Sequence, residues 1–159
     1  MYDPTSTAQI FQINISNGGV PKLPIPSTEV GYLGLKDDRH NDVEHHGGPE
    51  RAVSLYSLEI IRLLQQEGHP ISPGSAGENV TLVGLDWALV VAGLRLQLGD
   101  TLQIEISRYA TPCKTIRESF IDHEFNRISW RTNPGWARAY ARVLKPGEIR
   151  VGDAVRVIS

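Results

Sequence analysis

"LRLQLGDTLQIEIS", residues 94–107, is two runs of alternation set about a turn. Leu94, Leu96 and Leu98 fall on one face, and after Gly99-Asp100 so do Leu102, Ile104 and Ile106. Apolar residues at period two are the pattern of a half-buried β-strand. Gly-Asp is turn chemistry: Gly reaches backbone angles closed to other residues, and Asp can bond its own nearby backbone. The C-terminus echoes the device, because "LQLGDTLQI" (96–104) aligns with "IRVGDAVRV" (149–157), apolar against apolar. Other short strands are predicted at "IFQINIS" (10–16), with Phe11, Ile13 and Ile15 on one face, at "RAVSLYS" (51–57), with Val53 and Leu55, and at "NVTLVG" (79–84), with Val80 and Leu82. "NGGVPKLPIP" (17–26) reads as loop.

Two segments carry helical spacing. "SLEIIRLLQQEG" (57–68) opens on Ser57 as N-cap, has Glu59 in the first turn, groups Ile60, Leu63 and Leu64, and stops at Gly68. "GWARAYARVL" (135–144) places Trp136, Ala139, Tyr140, Val143 and Leu144 on one helical face. A short helix is also expected within "TIRESFIDHEF" (115–125). Many short strands with few helices predict a mainly β chain, a barrel or a sandwich, rather than alternating βαβ units.

The 159 residues fit one domain, spanning 1–159. A chain of that size buries roughly 70% of its unfolded surface and folds without disulfides. Cys113 is the only cysteine, which fits a reducing compartment and gives the cytoplasm as the expected location. The N-terminus shows no basic region followed by an apolar run, so no signal peptide is expected. The longest apolar stretch, "WALVVAGL", is far short of the ~20 residues of a membrane span. The net charge of −2 offers no nucleic-acid footprint, so neither nucleic acid nor membrane is an expected partner. An anionic ligand would need a local basic patch.

Three stretches carry chemistry. In "YATPCKTI" (109–116) Cys113 follows Pro112, which cannot extend a sheet ladder, so the thiol is expected just past a strand end. Lys114, Arg108 and Arg117 lie nearby in sequence, and cations beside a thiol favour the nucleophilic, metal-binding thiolate. A buried, inert cysteine is the alternative. "DDRHNDVEHHGGPER" (37–51) is dense in Asp, Glu and His. It reads as a solvated loop, as a divalent-metal site, or as an anion-facing segment in which Gly47-Gly48 brings backbone close to a ligand beside His45, His46 and Arg51. "PGSAGENV" (73–80) reads as a tight loop before a strand, or as a backbone nest with the N–H groups of Ser75, Ala76 and Gly77 facing an anion. Asp122, His123 and Glu124 are consecutive, cannot converge on one point, and read as surface.

Taken in order, "HHGGPERAVSLYSLE", "EGHPISPGSAGENVTLVGLDW", "LGDTLQIE", "PCKTI" and "GWARAYARVLKPGEIRVGDAV" resemble the MOSC domain, the C-terminal domain of molybdenum cofactor sulfurases, which also occurs as a stand-alone protein. The resemblance runs from about Gly31 to Ile158. It implies a barrel-like, mainly β fold with a few short α-helices, similar to the β-barrel domain of pyruvate kinase. The family's cysteine maps onto Cys113, implying a metal ligand or a persulfide carrier, with Lys114 beside it in the catalytic set. The implied cofactor is the molybdenum cofactor, a planar, anionic pterin. It would meet His45, His46, Gly47, Gly48, Arg51, Ser75, Ala76, Gly77, Glu78, Asn79 and Thr111.

Some members of the family reduce N-hydroxylated bases, which implies such a small molecule and an electron-donor protein as partners. A sulfur carrier would instead meet a cysteine desulfurase. The sulfurases' aminotransferase-like domain has no counterpart in the sequence, so no pyridoxal phosphate is expected. The larger reductases' extra segments also lack a counterpart. A cofactor-binding module without chemistry and a metal hydrolase built on His40, His45 and His46 complete the alternatives.

Overall fold

In the computed structural model, which describes residues 8–39 and 48–158, the strongest sequence pattern becomes the barrel wall. β7 (Arg95–Leu98) and β8 (Leu102–Tyr109) form the antiparallel hairpin about Gly99, with Leu96, Leu98, Leu102, Ile104 and Ile106 at most 1% exposed. Around them lie β1 (Ala8–Ile15), β5 (Val53–Ser57), β6 (Val80–Val83), β9 (Ala139–Lys145) and β11 (Ala154–Val157). The order β11-β7-β8-β9-β5-β6-β1 closes through β1–β11 pairing into a seven-stranded barrel. Closure removes the free edges that an open sheet would expose. β2 (Leu23–Ile25) extends the sheet beyond β1, while β3 (Ser27–Gly31), β4 (Gly34–Leu35) and β10 (Gly147–Arg150) form a separate small sheet.

Every barrel pairing is antiparallel except β5–β6, whose register sets Leu55 against Val80. A parallel pair needs a crossover, and α1 (Leu58–Gln66) supplies it. The Ser57 hydroxyl accepts from the Ile60 N–H at 3.2 Å, as an N-cap should. The buried face is Leu58, Ile60, Ile61 and Leu64, whereas Leu63 is exposed, which corrects the expected Ile60–Leu63–Leu64 grouping. Ile61 replaces Leu63 because a stripe centred near Leu64 leaves Leu63 at its solvent edge. With α1 on its outside, β5 is buried along its whole length, so Ser54 and Ser57 are inside as well.

Two expected patterns are overturned. β1 buries Ile10 and Ile13, not the set Phe11, Ile13 and Ile15, and Phe11 is 39% exposed. A bulge between Ile10 and Gln12 inserts one residue and switches the faces. The segment 135–144 is not a helix: Ala139–Lys145 is β9, held between β8 and β5. Ala137, Ala139, Ala141 and Val143 alternate and are buried, a strand period that helix-favouring alanines disguise. The region after Cys113 folds as three short 3-10 turns, Lys114–Ser119, Ile121–His123 and Phe125–Ile128.

The repeated Gly-Asp device has two uses. At Gly99 it turns a hairpin, while at Gly152 it carries the chain from the small sheet (β10) to the barrel (β11). Asp153 bonds back to the Arg150 N–H at 2.8 Å.

Gly147 sits where a β-carbon would lie against Thr101 and 2.7 Å from the Leu102 nitrogen. Gly147→Ala is expected to destabilise the fold by about 1–3 kcal/mol through overpacking. Denaturant titration checks this, with Gly152→Ala, where a β-carbon meets nothing within 4 Å, isolating the cost of a positive φ.

Candidate functional site

The cleft is built on strand ends. β5 contributes Ser54, the residue before β6 is Asn79, the residue before β9 is Arg138, and β9 itself contributes Tyr140. The loop before β6 adds Ala76 and Gly77, the segment after β1 adds Gly19, Val20 and Lys22, and Arg39 and Arg51 flank the space. Thr115 and Ile116 close it, around a cavity of about 120 Å³. Four cations and no carboxylate line it among the described residues, although the whole chain carries −2.

A buried network fixes the floor. Asn79 Oδ1 accepts from the Ser54 N–H at 3.0 Å and the Ser54 hydroxyl at 3.1 Å. Asn79 Nδ2 donates to Asp38 Oδ2 at 2.9 Å and to the Asn14 carbonyl at 3.3 Å. Asp38 also pairs with Lys22 at 2.6 Å, both side chains being nearly inaccessible. Below, the fully buried Glu78 accepts from the Gly74 N–H and the Thr81 hydroxyl through Oε2, while its Oε1 has no partner. Burial pushes the Glu78 carboxyl above its ordinary range.

Cys113 leaves the sheet beside Arg138: past the end of β8, the Ala110 N–H donates to the Arg138 carbonyl at 2.8 Å. Pro112 is buried, and Cys113 is half-buried in extended backbone. Its sulfur lies 2.9 Å from the Thr115 hydroxyl, so the thiol sits one side chain from the cleft. Farther along the same turn, the Ser119 hydroxyl meets the Ser75 hydroxyl at 2.8 Å, tying the cysteine segment to the glycine-rich loop.

Of the residues singled out in the sequence, Arg51, Ala76, Gly77 and Asn79 line the cleft. Cys113, Lys114 and Ser75 border it from the adjoining turn and loop, and Gly48 precedes the turn that carries Arg51. Thr111 is exposed and accepts from the Trp130 indole N–H at 3.3 Å. Glu78 faces inward and holds the loop from behind. His40, His45, His46 and Gly47 lie outside the described residues. Among the described residues, no cluster of His, Cys, Asp or Glu could hold a metal ion.

The nest expectation fails in part. The Ser75 N–H bonds the Ser72 carbonyl and the Gly77 N–H the Gly74 carbonyl, so neither is left to face an anion. The loop is itself a pair of turns, and turns consume their own amides.

Sequence reasoning missed Lys22, Arg39, Arg138 and Tyr140. Arg138 and Tyr140 were hidden by the helical reading, although "ARAYARV" alternates and would place both on one strand face. Arg51 is held by its turn: Arg142 pairs with the neighbouring Glu50 at 2.6 Å, and with Glu105. The hydrogen bond from Arg142 keeps the exposed Glu50 carboxyl below its ordinary range. The Arg51 guanidinium lies 5.9 Å from the centre of the Tyr140 ring.

The comparisons agree on what kind of chain builds this site. The MOSC domain model matches residues 42–156, and the chain belongs to that family. It is 28% identical over 143 residues to the uncharacterized protein YflK of Bacillus subtilis, covering 89% of this chain and 63% of that one. It is 26% identical over 132 residues to protein YiiM of Escherichia coli, covering 80% and 57%. The chain thus spans about 60% of the length of these two relatives. Crystal structures of YiiM from Geobacillus stearothermophilus and of the YuaD protein from Bacillus subtilis superpose with TM-scores of 0.71 and 0.73, at 23% and 19% identity. Those matches cover 96% and 95% of this chain, and 75% and 95% of the solved ones. At that identity they establish the fold, a barrel with few helices. No helix among the described residues is long and apolar enough to cross a membrane.

Two outcomes test the network. Asp38→Ala strands Lys22 in the interior and is expected to cost about 3–5 kcal/mol in a denaturation experiment. Glu78, with its folded-state value raised, binds more protons folded than unfolded, so its contribution to stability is fully present below about 4.5 and declines as pH rises toward the folded value. Glu78→Gln removes that decline, so the stability of the variant relative to the native chain should rise with pH above about 4.5 in paired melts.

Proposed function

We propose that the cleft holds an anionic, pterin-type molybdenum cofactor, that Cys113 is the protein's sulfur ligand to the metal, and that the chain reduces N-hydroxylated compounds. The observation that supports this reading is the charge of the cleft: Lys22, Arg39, Arg51 and Arg138 gather in one space of a chain that is acidic overall. These residues fit a ligand bearing phosphate and oxo groups. Val20, Ile116 and Tyr140 add apolar surface for a flat ring.

When bound, such a cofactor supplies the redox chemistry that removes an oxygen from an N-hydroxyl group. The chain's own residues bind and orient it. Arg51 and Arg138 would neutralise its anionic groups, Arg138 being held by the Ala76 carbonyl, while the Asn79 network fixes Asp38 and through it Lys22. Soft sulfur at Cys113 suits a redox-active metal. Electrons would come from a separate donor protein.

One observation favours a second reading. Cys113 is half-buried on the rim and does not line the cleft, where a partner protein can reach it. As a sulfur carrier, its thiolate would attack the outer sulfur of a desulfurase persulfide, taking that sulfur and releasing the desulfurase thiolate.

Metal analysis after expression in a cofactor-producing host decides between them. Near-stoichiometric molybdenum in the native chain and background levels in Cys113→Ala is the expected result. No metal in either, together with a gain of about 32 Da (one sulfur) on Cys113 after incubation with a desulfurase, transfers the assignment to the carrier. Neither result, with undiminished cofactor binding by Cys113→Ser, leaves a binding module without chemistry.

A further inference from the structure

We propose that the exposed Trp130–Arg131 turn, tied to the cysteine segment through Thr111, is the docking surface for an acidic redox protein of the flavodoxin or ferredoxin class. The inference rests on the cofactor reading for what the visitor delivers, whereas the surface itself is defined by residues outside the cleft.

The chain has three tryptophans, and two are committed to packing. Trp87 is buried and donates its indole N–H to the Ala137 carbonyl at 2.9 Å. Trp136 packs against the core, with the Arg127 guanidinium 4.0 Å from its ring centre. Trp130 is 38% exposed and takes no part in the core. Its indole N–H donates to the hydroxyl of Thr111, two residues before Cys113, at 3.3 Å. The polar handle is thus satisfied, and the exposed part of the ring meets solvent. Trp and Arg are the residue types most enriched at the anchor points of protein interfaces.

The turn that carries the ring is well fixed. Ser129 is buried, and its carbonyl accepts from the Thr132 and Asn133 N–H groups at 3.3 and 2.8 Å. Its hydroxyl accepts from the Arg131 N–H at 3.3 Å, and the Asn133 side chain donates to the Arg127 carbonyl at 3.1 Å. A surface ordered in advance loses little freedom when a partner docks.

The charge around the ring is positive. The Arg131 guanidinium lies 5.0 Å from the centre of the Trp130 ring, and no carboxylate among the described residues pairs with it. Lys114, next to Cys113 in the chain, is exposed and likewise has no ion pair among the described residues. Glu118, the carboxylate nearest Cys113 in sequence, lies 3.6 Å from both Arg117 and His123. An apolar centre with a cationic rim selects an acidic protein face. A two-fold pair of this chain over the same surface would set like charges against one another. Small redox proteins of the two classes surround their cofactors with carboxylates, and they fit.

The test is calorimetric titration of the full chain with a bacterial flavodoxin and with a plant-type ferredoxin. At least one is expected to bind, more weakly as salt rises from about 50 to about 300 mM. Trp130→Ala should weaken that binding roughly tenfold or more. Arg131→Glu should weaken it by a similar factor at low salt and much less at high salt, on the order of the screening expected for an exposed charge. Arg150→Glu, in the separate small sheet and 72% exposed, makes the same change of net charge away from the turn and should bind like the native chain. Melting temperatures confirm that the variants are folded. Arg131→Glu leaves the Thr111 bond intact, so it serves if Trp130→Ala loosens the turn.

No binding of either redox protein, or native affinity in the folded Trp130 and Arg131 variants, overturns the inference. Self-association of the native chain that Trp130→Ala abolishes overturns it too, and gives the surface to a second copy. Docking of a cysteine desulfurase at these residues in place of both redox proteins overturns it in favour of the sulfur-carrier reading. Trp130-dependent docking in a chain that never carries molybdenum sinks the cofactor reading and leaves the surface. A molybdenum-loaded chain that binds neither redox protein sinks this inference alone.

Discussion

The side-chain amide of Asn79 makes four hydrogen bonds, two accepted from Ser54 and two donated, to Asn14 and Asp38. That is the full capacity of an asparagine. It sits 1% exposed between the parallel strands β5 and β6 and reaches back to β1. A buried amide is tolerated only when every group is matched, so the strands and the Asp38 segment are held in one arrangement. Asp38 in turn neutralises Lys22, which lets that cation stand in the interior. The position of the cleft wall follows from this one side chain.

The electrostatics follow from the same frame. Chain-wide, acids slightly outnumber bases, and exposed pairs such as Arg95–Glu105 and Arg127–Glu67 absorb much of the charge at the surface. Such pairs contribute little to stability. The cations of the cleft gather in one place, between the barrel wall and the loops that carry Ala76 and Thr115. Charge in a partly desolvated cleft is screened less, and so acts more strongly, than the same charge on an open surface.

The sequence displayed the barrel hairpin at 94–107, the cap and course of α1, and the position of Cys113 past a strand end. Each rests on local rules: alternation, a capping hydroxyl, and a proline that cannot join a ladder. It also displayed three chemical stretches, and all three reach one cleft: the 37–51 stretch through Arg39 and Arg51, the glycine-rich loop through Ala76 and Gly77, and the cysteine turn through Thr115. It concealed Arg138 and Tyr140. "ARAYARV" satisfies both a helical and a strand period, and propensity alone favours the helix. Pairing with β8 and β5 settles the matter, because residues distant in sequence bury Ala139 and Ala141 from both sides. The face of β1 was concealed for a similar reason, since its bulge exists only against β6.

By itself, then, the sequence determined the strand-rich character of the chain, its turns, its helix and the family resemblance that follows from its motifs. Those are properties of neighbouring residues, and neighbouring residues set them. Tertiary structure decided that Lys22, Arg39, Arg51 and Arg138, spread over more than a hundred positions, share one space. It also decided that the Ser75 and Gly77 amides of the glycine-rich loop turn inward to carbonyls of the same loop, and that Arg138 stands buried against the Ala76 carbonyl. Convergence of this kind depends on barrel closure, a long-range constraint that no local pattern encodes.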